Sequence, residues 1–510
     1  MATAKSLYAK MDADRREFLE RGRAAAELTL PYLLTREGHS STEDLPTPYQ
    51  SVGARGVNNL AAKMLGALFP VNQPVFRLTI DDAALEELTQ QEGQRAPVEE
   101  ALNRMERITT SFMEGAAFRP TLYEALRHGI IVGNVLLNFT EDTLRAIPLE
   151  NYAVKRSCTG KMLRLIIKEA TTFGELPVKT QALLLEQNTT NKYDEESKID
   201  LYTHVRRKGQ MYEVVQEVDG LELAETKGTY TADKLPFIPM RFNRVNGENY
   251  GRGYVEEYIG DLISLEGLSQ SLLEGAAGAA RLLFLVNPNG TTDKEDLANA
   301  PNGEFVDGNA AEVQALQTNK GADFAVAQRQ METIEARLSY AFLLNSAVQR
   351  GGERVTAEEI RFLAQELESA LGGIYSILTQ ELQLPLVKLI MGHLEVKGKL
   401  PKLPKDTVTP TVVTGVEALG RGQDLSRLKE FLQTIAALPG ALERLNVDDL
   451  LKRIGASLGI DMKGLVKTLD EMQAEQQQAT MQQMAMSAAA PVAGQVAKAV
   501  TNPQPEGAPQ

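Results

Sequence analysis

NSAVQRGGERVTAEEIRFLAQELESALGGIYSILTQELQLPLV, Asn345 to Val387, is the stretch around which the rest of the chain can be ordered. It reads as the end of one helix, a short loop, and a long second helix with a bend built in. Thr356 and Glu359 have the spacing of a capping box, in which each side chain satisfies an orphan backbone N–H at a helix start. That spacing places the helix start at Thr356 and leaves Gln349, Arg350, Gly351, Gly352, Glu353, Arg354 and Val355 as the connecting loop. The two glycines turn without steric cost, with Arg350 and Arg354 on either side and Arg361 just inside the helix. Further along, the paired Gly372 and Gly373 weaken the helix and predict a kink, and Pro385 is a second weak point.

Upstream, Val255, Tyr258, Ile259, Leu262, Leu265, Leu268, Leu272 and Ala276 mark one apolar stripe of a helix over Tyr254 to Arg281. Those 28 residues span roughly 40 Å. The second half, Glu274 to Ala280, is so small-sided that a neighbouring helix can approach closely, either inside one subunit or between repeated copies. Leu282 to Val286 reads as a short strand and Asn287 to Gly290 as a turn, opening a small module that extends to about Asp323. A helix over Ala325 to Val348 then leads into the arginine loop. Helices this long suit the wall of a tube better than the core of a compact enzyme.

The first half predicts helices leading and strands following. Helical spacing covers Lys5 to Leu34, Tyr49 to Leu68, Val98 to Phe118 and Pro120 to Ile131. Strand patterns follow at Asn134 to Phe139, Leu144 to Ile147, Ala153 to Arg156 and Leu163 to Glu169, with Thr159-Gly160 as a turn. A short helix fits Pro177 to Gln187, and strands return at Ile199 to Arg206, Met211 to Val218 and Pro236 to Asn243. Beyond Pro404, helices are expected at Gly415 to Ala418, Leu425 to Ala437 and Val447 to Leu458. The end, from Met472 to Gln510, is rich in Gln, Met and Ala and then Pro, and lacks aromatic residues, a composition that does not build a core. The fold class is therefore α+β, mainly α.

Composition narrows the function. With 510 residues, 43% hydrophobic and 24% charged, the chain has ordinary soluble values and room for several parts. A net charge of -14 argues against a generic nucleic-acid binder, which shows a basic footprint. The single Cys158 excludes an internal disulfide framework and fits a reducing compartment. No apolar run approaches the ~20 residues of a membrane helix, and Met1 to Arg16 is too charged for a signal peptide, so synthesis in a cytoplasm is expected.

No catalytic constellation emerges. The chain has no G-x-x-x-x-G-K-[ST] phosphate loop, and Gly420-Arg-Gly422 lacks the third glycine of a dinucleotide fingerprint. His39, His128, His204 and His393 are far apart, and each reads as structural. Asp81-Asp82 and Glu99-Glu100 read as helix-start acids that complement the macrodipole. No catalytic, cofactor or metal residue is expected. For the loop arginines two readings stand: an ion pair such as Arg354 with Glu358, four apart, or contact with the phosphates of a polyanion.

Four blocks of the sequence carry a resemblance. Asn345 to Val387, TPYQSVGARGVNNLAAKMLGALFP (Thr47 to Pro70), YGRGYVEEYIGDLISLE (Tyr250 to Glu266) and TGVEALGRGQDLSRL (Thr414 to Leu428) are similar, in this order, to the head-to-tail connector or portal proteins of short-tailed bacteriophages (podoviruses of the autographivirus type). The likeness covers most of residues 1–470. It implies a dodecameric ring at one capsid vertex, a homo-oligomer whose channel passes double-stranded DNA during packaging and ejection. Its parts map as a wing over 1–253, stem helices over 254–281 and 325–348, and a clip over 282–324. The tunnel loop falls at 349–355, a long kinked wing helix at 356–400, a helical crown at 401–470 and a flexible tail at 471–510. Implied partners are the terminase large subunit, then the tail adaptor and nozzle proteins, with major capsid, scaffolding and internal core proteins, and no membrane. A ring-shaped tail adaptor without DNA gating is the alternative within virion proteins, and a cytoplasmic enzyme with a hidden site is the alternative outside them.

Overall fold

The computed structural model describes residues 3–79 except 37, 41 and 72–74, then 95–187, 193–279, 283–316, 321–344 and 362–400 except 363, 364, 368 and 370–372, with the short pieces 411–414, 430–434 and 450. Two units partition the chain, Met1–Gly420 and Arg421–Gln510. In the second, only the helical residues 430–434 and residue 450 are described. Everything below concerns the first.

Helix α1 (Ala4–Glu27) starts where the Thr3 side chain accepts from the Ser6 N–H. It stops short of the expected Leu34. Pro31 has no N–H to continue the ladder, the residue before a proline avoids the helical region, and Pro31–Leu33 closes as a single tight 3-10 turn instead. Arg15 ties α1 down. It is buried, and its guanidinium donates to the Tyr8 hydroxyl and to the carbonyls of Leu149, Glu150 and Tyr152. Helices α2 (Val52–Leu68), α3 (Arg95–Gly115) and α4 (Phe118–Val132) follow near their expected positions.

Strand β1 (Phe76–Thr79) precedes α3. After α4 come β2 (Asn134–Thr140), β3 (Thr143–Ile147), β4 (Tyr152–Arg156) and β5 (Met162–Thr172). A helix α5 (Val178–Gln187) intervenes, and then β6 (Lys198–Lys208), β7 (Met211–Val218), β8 (Leu221–Thr231) and β9 (Phe237–Arg241). These build a three-stranded sheet in the order β3-β2-β9 and a five-stranded meander β4-β5-β6-β7-β8, all antiparallel. Strand β8 was not anticipated. It is the edge of its sheet and mostly exposed, so its residues do not show the apolar alternation of a half-buried strand. One face of the meander receives α1 through Tyr8, Met11, Ala153, Ile166 and Tyr202. Leu165, Ile167 and Val205, on the opposite face, join the main core with α2 and α4.

After β9 the chain passes over the C-terminal end of α4 at backbone distance. A Cβ on Gly253 would lie 2.2 Å from the Ile131 carbonyl oxygen, and Gly133 is left-handed at φ +80°. Asn134 locks the crossing, donating to Gly251 O at 2.7 Å and accepting from Gly251 N at 2.7 Å. A short turn of helix, Tyr254–Glu257, then leads into α6 (Ile259–Ala279). Strands β10 (Leu283–Val286) and β11 (Val313–Leu316) pair antiparallel between α6 and α7 (Gly321–Ala341). Helix α7 begins four residues before the expected Ala325 and ends well before Val348. Leu343 adopts φ +54°, which takes the chain out of the helix.

The long helix expected over 356–400 is segmented where it is described. Gly373 is left-handed at φ +90° and precedes the helical turn Ile374–Leu378. A wider π-helical turn, Thr379–Gln383, comes next, then α8 (Leu384–Val396). The π turn answers Pro385, which lacks an N–H and whose ring would collide with the carbonyl four residues back. That carbonyl belongs to Glu381, whose carboxylate accepts from the buried Arg241 of β9. The last strand, β12 (Thr411–Thr414), falls within the 401–470 that the resemblance maps as a helical crown, just before the helix expected from Gly415. Thr411-Val-Val-Thr414 is β-branched and pairs antiparallel with Phe76–Thr79, so this part of the presumed crown is strand in the first unit.

Candidate functional site

The sequence-predicted loop residues Gln349, Arg350, Gly351, Gly352, Glu353, Arg354 and Arg361, and Gly372 of the kink, lie outside the described residues. So do the Thr356 helix start and the Arg354–Glu358 pairing. Gly373 is the one member of the set that the structure places. What is described is the chain leading up to them.

The upstream shoulder is the C-terminal end of α7 seated on α2. A helix end leaves its last carbonyls without intrahelical partners. Here side chains meet three of them in succession. The Tyr254 hydroxyl donates to Ala341 O at 3.0 Å. Asn59 Nδ2 donates to Phe342 O and Leu343 O, both at 3.0 Å, and Lys63 Nζ donates to Leu343 O at 2.9 Å. A cation at a helix C-terminus also complements the macrodipole. Burial pushes the Lys63 pKa below its ordinary value, and the nearby Glu366 carboxylate opposes that shift. Gly56, three residues before Asn59 on the same face of α2, makes room for the Phe342 ring, which a Cβ there would meet at 2.6 Å. Phe342 in turn stacks edge-on against Tyr254, with centroids 5.8 Å apart. Gly56, Asn59 and Lys63 were missed as a group in the sequence. The signal was there: a glycine, an amide and a lysine at helical spacing on an otherwise apolar face.

From this shoulder α6 and α7 run as an antiparallel pair, joined by the Arg337–Asp261 ion pair at 3.1 Å. Each has 21 residues, about 32 Å of axis. The expected stripe of α6 is buried only near its start, at Leu262 and Leu265. Further along, apolar side chains stand in the open, among them Leu273, 62% exposed, and Val326 of α7. At the other end of α7, Tyr340 is 81% exposed. Between the helices, Phe284, Leu285 and Phe305 are also exposed. Residues 254–341 hold fourteen acidic against five basic side chains, a net of −9 in a chain of −14.

The remaining sequence candidates stay apart. Cys158 is exposed in the turn between β4 and β5. His128 and His204 are buried, His39 lies 3.4 Å from Glu43, and His393 pairs with Asp142. Among the described residues no three His, Cys, Asp or Glu side chains gather as a metal site. No described helix is long and apolar enough to cross a membrane.

Comparison with known proteins matches residues 1–466 to the family described as bacteriophage head to tail connecting protein. The portal protein of Escherichia phage T7 is 41% identical over 512 residues, covering 98% of this chain and 95% of its own length. That of Enterobacteria phage T3 is 41% identical over 511 residues, with the same coverage of 98% and 95%. That of Enterobacteria phage SP6 is 30% identical over 487 residues, covering 94% of this chain and 93% of its own.

Proposed function

This chain belongs to the bacteriophage head-to-tail connecting family, the portal proteins of short-tailed phages, and on that premise we propose that twelve copies close into a ring at one capsid vertex and form the channel for double-stranded DNA. The observation that carries the ring is the α6–α7 arm. Its two long helices leave large apolar side chains exposed over a length that one subunit does not cover, which is what a surface completed by neighbouring copies requires. In this reading α6 and α7 line up as the stem, and the β10–β11 module is the clip, which docks the terminase large subunit and later the tail adaptor and nozzle proteins. Residues 1–253 and the segmented helix up to about residue 400 form the wing, to which the β1–β12 pairing adds 411–414. The rest of 401–470 is the crown toward the capsid interior and its core proteins, 471–510 the tail, and the major capsid and scaffolding proteins surround the wing.

The mechanism is electrostatic and mechanical. The acidic arms repel phosphates, and repeated around a ring they keep a duplex centred and free to slide. A duplex held by many cations would instead release counterions and bind tightly. The loop over 349–355 narrows the bore and offers Arg350 and Arg354 to the phosphates without reading sequence. The Asn59, Lys63 and Tyr254 hydrogen bonds fix the upstream shoulder. Arg361 and the backbone reversal at Gly373 let the downstream shoulder move. Nothing in this cycle requires a reaction at the protein, so the chain acts as a conduit and not an enzyme.

Electron microscopy of the purified protein tests the ring. End-on class averages are expected to show a closed ring with an axial hole wide enough for a duplex, and monomers at high concentration would overturn the reading. The gate has its own test. If Arg354→Ala and Arg361→Ala leave DNA packaging and retention unchanged, the loop does not act on DNA.

A further inference from the structure

The five-stranded meander sorts its charges. Residues 152–231 contain twelve basic and twelve acidic side chains, yet residues 155–164 carry four cations and 206–211 three, with no acid in either stretch. The acids collect at the opposite end, where residues 217–225 hold four and no cation. Strand register brings the cations side by side: Lys155 lies opposite Arg164, and Arg164 opposite Arg206. Like charges directly opposite across a ladder destabilise it, so this row works against the fold. Two of its members find acids, Lys155 at Asp14 and Arg206 at Glu213, and the Glu213 carboxylate also takes Lys208 and Lys227. Arg164, Arg207 and Lys10 make no ion pair with any acid among the described residues.

Beside this row, between α1 and the strand ends, lies a groove of about 690 Å³. Leu7, Met11 and the exposed Leu163 give it an apolar wall, Lys10, Arg164 and Arg207 give it a cationic rim, and the one acid in its lining, Asp14, is paired with Lys155. We infer that this groove is a docking site for an acidic, amphipathic segment of another protein, its carboxylates on Arg164, Arg207 and Lys10 and its apolar side chains on Leu7, Met11 and Leu163. The apolar wall separates this partner from a nucleic acid. A phosphate backbone gains nothing from leucine and methionine, whereas a helix with acids on one face and leucines on another meets both linings. The chain's overall negative charge points the same way, since it opposes a long polyanion more than a short acidic segment.

The test is fluorescence anisotropy on the full-length protein with three probes: a synthetic helical peptide with Glu on one face and Leu on the other, the same peptide with Gln for Glu, and a short DNA duplex. The acidic peptide is expected to bind and the Gln peptide to fail. The Arg164→Gln/Arg207→Gln variant is expected to weaken binding about tenfold, more at low salt than at high. Leu163→Ser should weaken it as well. Lys10→Gln, on α1 and not on the sheet, separates loss of binding from misfolding of the strands and is expected to weaken binding too. No binding of the acidic peptide, or equal binding by all variants, overturns the inference. Tighter binding of the duplex at the same salt, lost in the same variants, overturns it in favour of nucleic acid.

Discussion

The α6–α7 arm and the five-stranded meander solve opposite problems with the same residue types. The arm concentrates acid, net −9 over residues 254–341, and among its described residues joins its two helices by the Arg337–Asp261 pair. The meander balances twelve cations with twelve acids and buries Leu165, Ile167 and Val205. It sorts those charges, with cations facing cations at one end and acids collected at the other. On the proposed reading, an arm with exposed leucines and an excess of acid is completed by neighbouring copies and repels phosphates. An open, charge-balanced sheet with one cationic corner offers that corner to something acidic.

The joint between the regions is the place where that contrast breaks most readily. Tyr250 to Gly253 crosses the end of α4 with no room for a side chain at Gly251 or Gly253. Gly253→Val should therefore destabilise by about 4 kcal/mol or more, since a Cβ at 2.2 Å from a carbonyl oxygen forces the backbone apart. Thermal melting reads this directly, and a variant melting with the parent would mean that arm and sheet are not joined as described. Within the arm, Leu265, 2% exposed, and Leu273, 62% exposed, lie eight residues apart on α6. Leu265→Ala is expected to cost about 2–4 kcal/mol of subunit stability. Leu273→Ser should leave that stability within about 0.5 kcal/mol and lower the fraction of closed rings, a split that chemical denaturation and sedimentation measure together. If Leu273→Ser leaves ring yield untouched, the exposed stripe is not an interface.

Acid probes the part of the subunit outside the arm, at His204 on β6 and His128 on α4. His128 and His204 have ring nitrogens with no hydrogen-bond partner. Burial pushes both to about 4, with Arg127 beside the first and Arg164 and Arg206 beside the second adding to the shift. An unfolded histidine titrates near 6.5. Between those values the unfolded chain binds more protons than the folded one, so stability is full above about 6.5 and is lost as pH falls toward 4. His128→Leu and His204→Leu should each flatten that decline in melts taken from pH 7 to 4.5. A decline as steep in both variants would assign it to other groups.

Most of this architecture was legible in the sequence, for reasons that differ by region. Strands β2 to β7 announced themselves as short apolar and β-branched runs between turn residues, and α2 to α4 through helical spacing. Helix α1 was read too long, although Pro31 was the stop signal. β8 was invisible because an exposed edge strand has no apolar pattern to display, and β1 and β12 because four-residue strands far apart in sequence acquire meaning only when paired. The candidate site divides in the same way. A glycine-arginine loop is conspicuous as composition, whereas its anchor is written in single residues, Gly56, Asn59 and Lys63, whose purpose appears only when Phe342 and Leu343 arrive from 280 residues away. Sequence periodicity reports burial within one element and is silent about which distant carbonyl an amide will cap.

The smallest expected effect is the most discriminating. If Arg164 served the sheet, removing its charge would cost stability. Its row predicts the reverse, since Lys155 and Arg206 flank it across both ladders and no acid among the described residues neutralises it. Arg164→Gln should leave the protein as stable or raise its stability by about 0.5 kcal/mol at low salt, the size of one relieved cross-strand repulsion. The gain should fade in high salt, where the Debye length falls to about 3 Å at 1 M and the repulsion is screened. Denaturant titrations at two ionic strengths measure both numbers. A clear loss of stability would mean that the guanidinium packs as part of the fold, and the cationic corner would then be structure. A gain that disappears with salt would mean that the corner is kept at the sheet's expense, as a surface meant for an acidic partner must be.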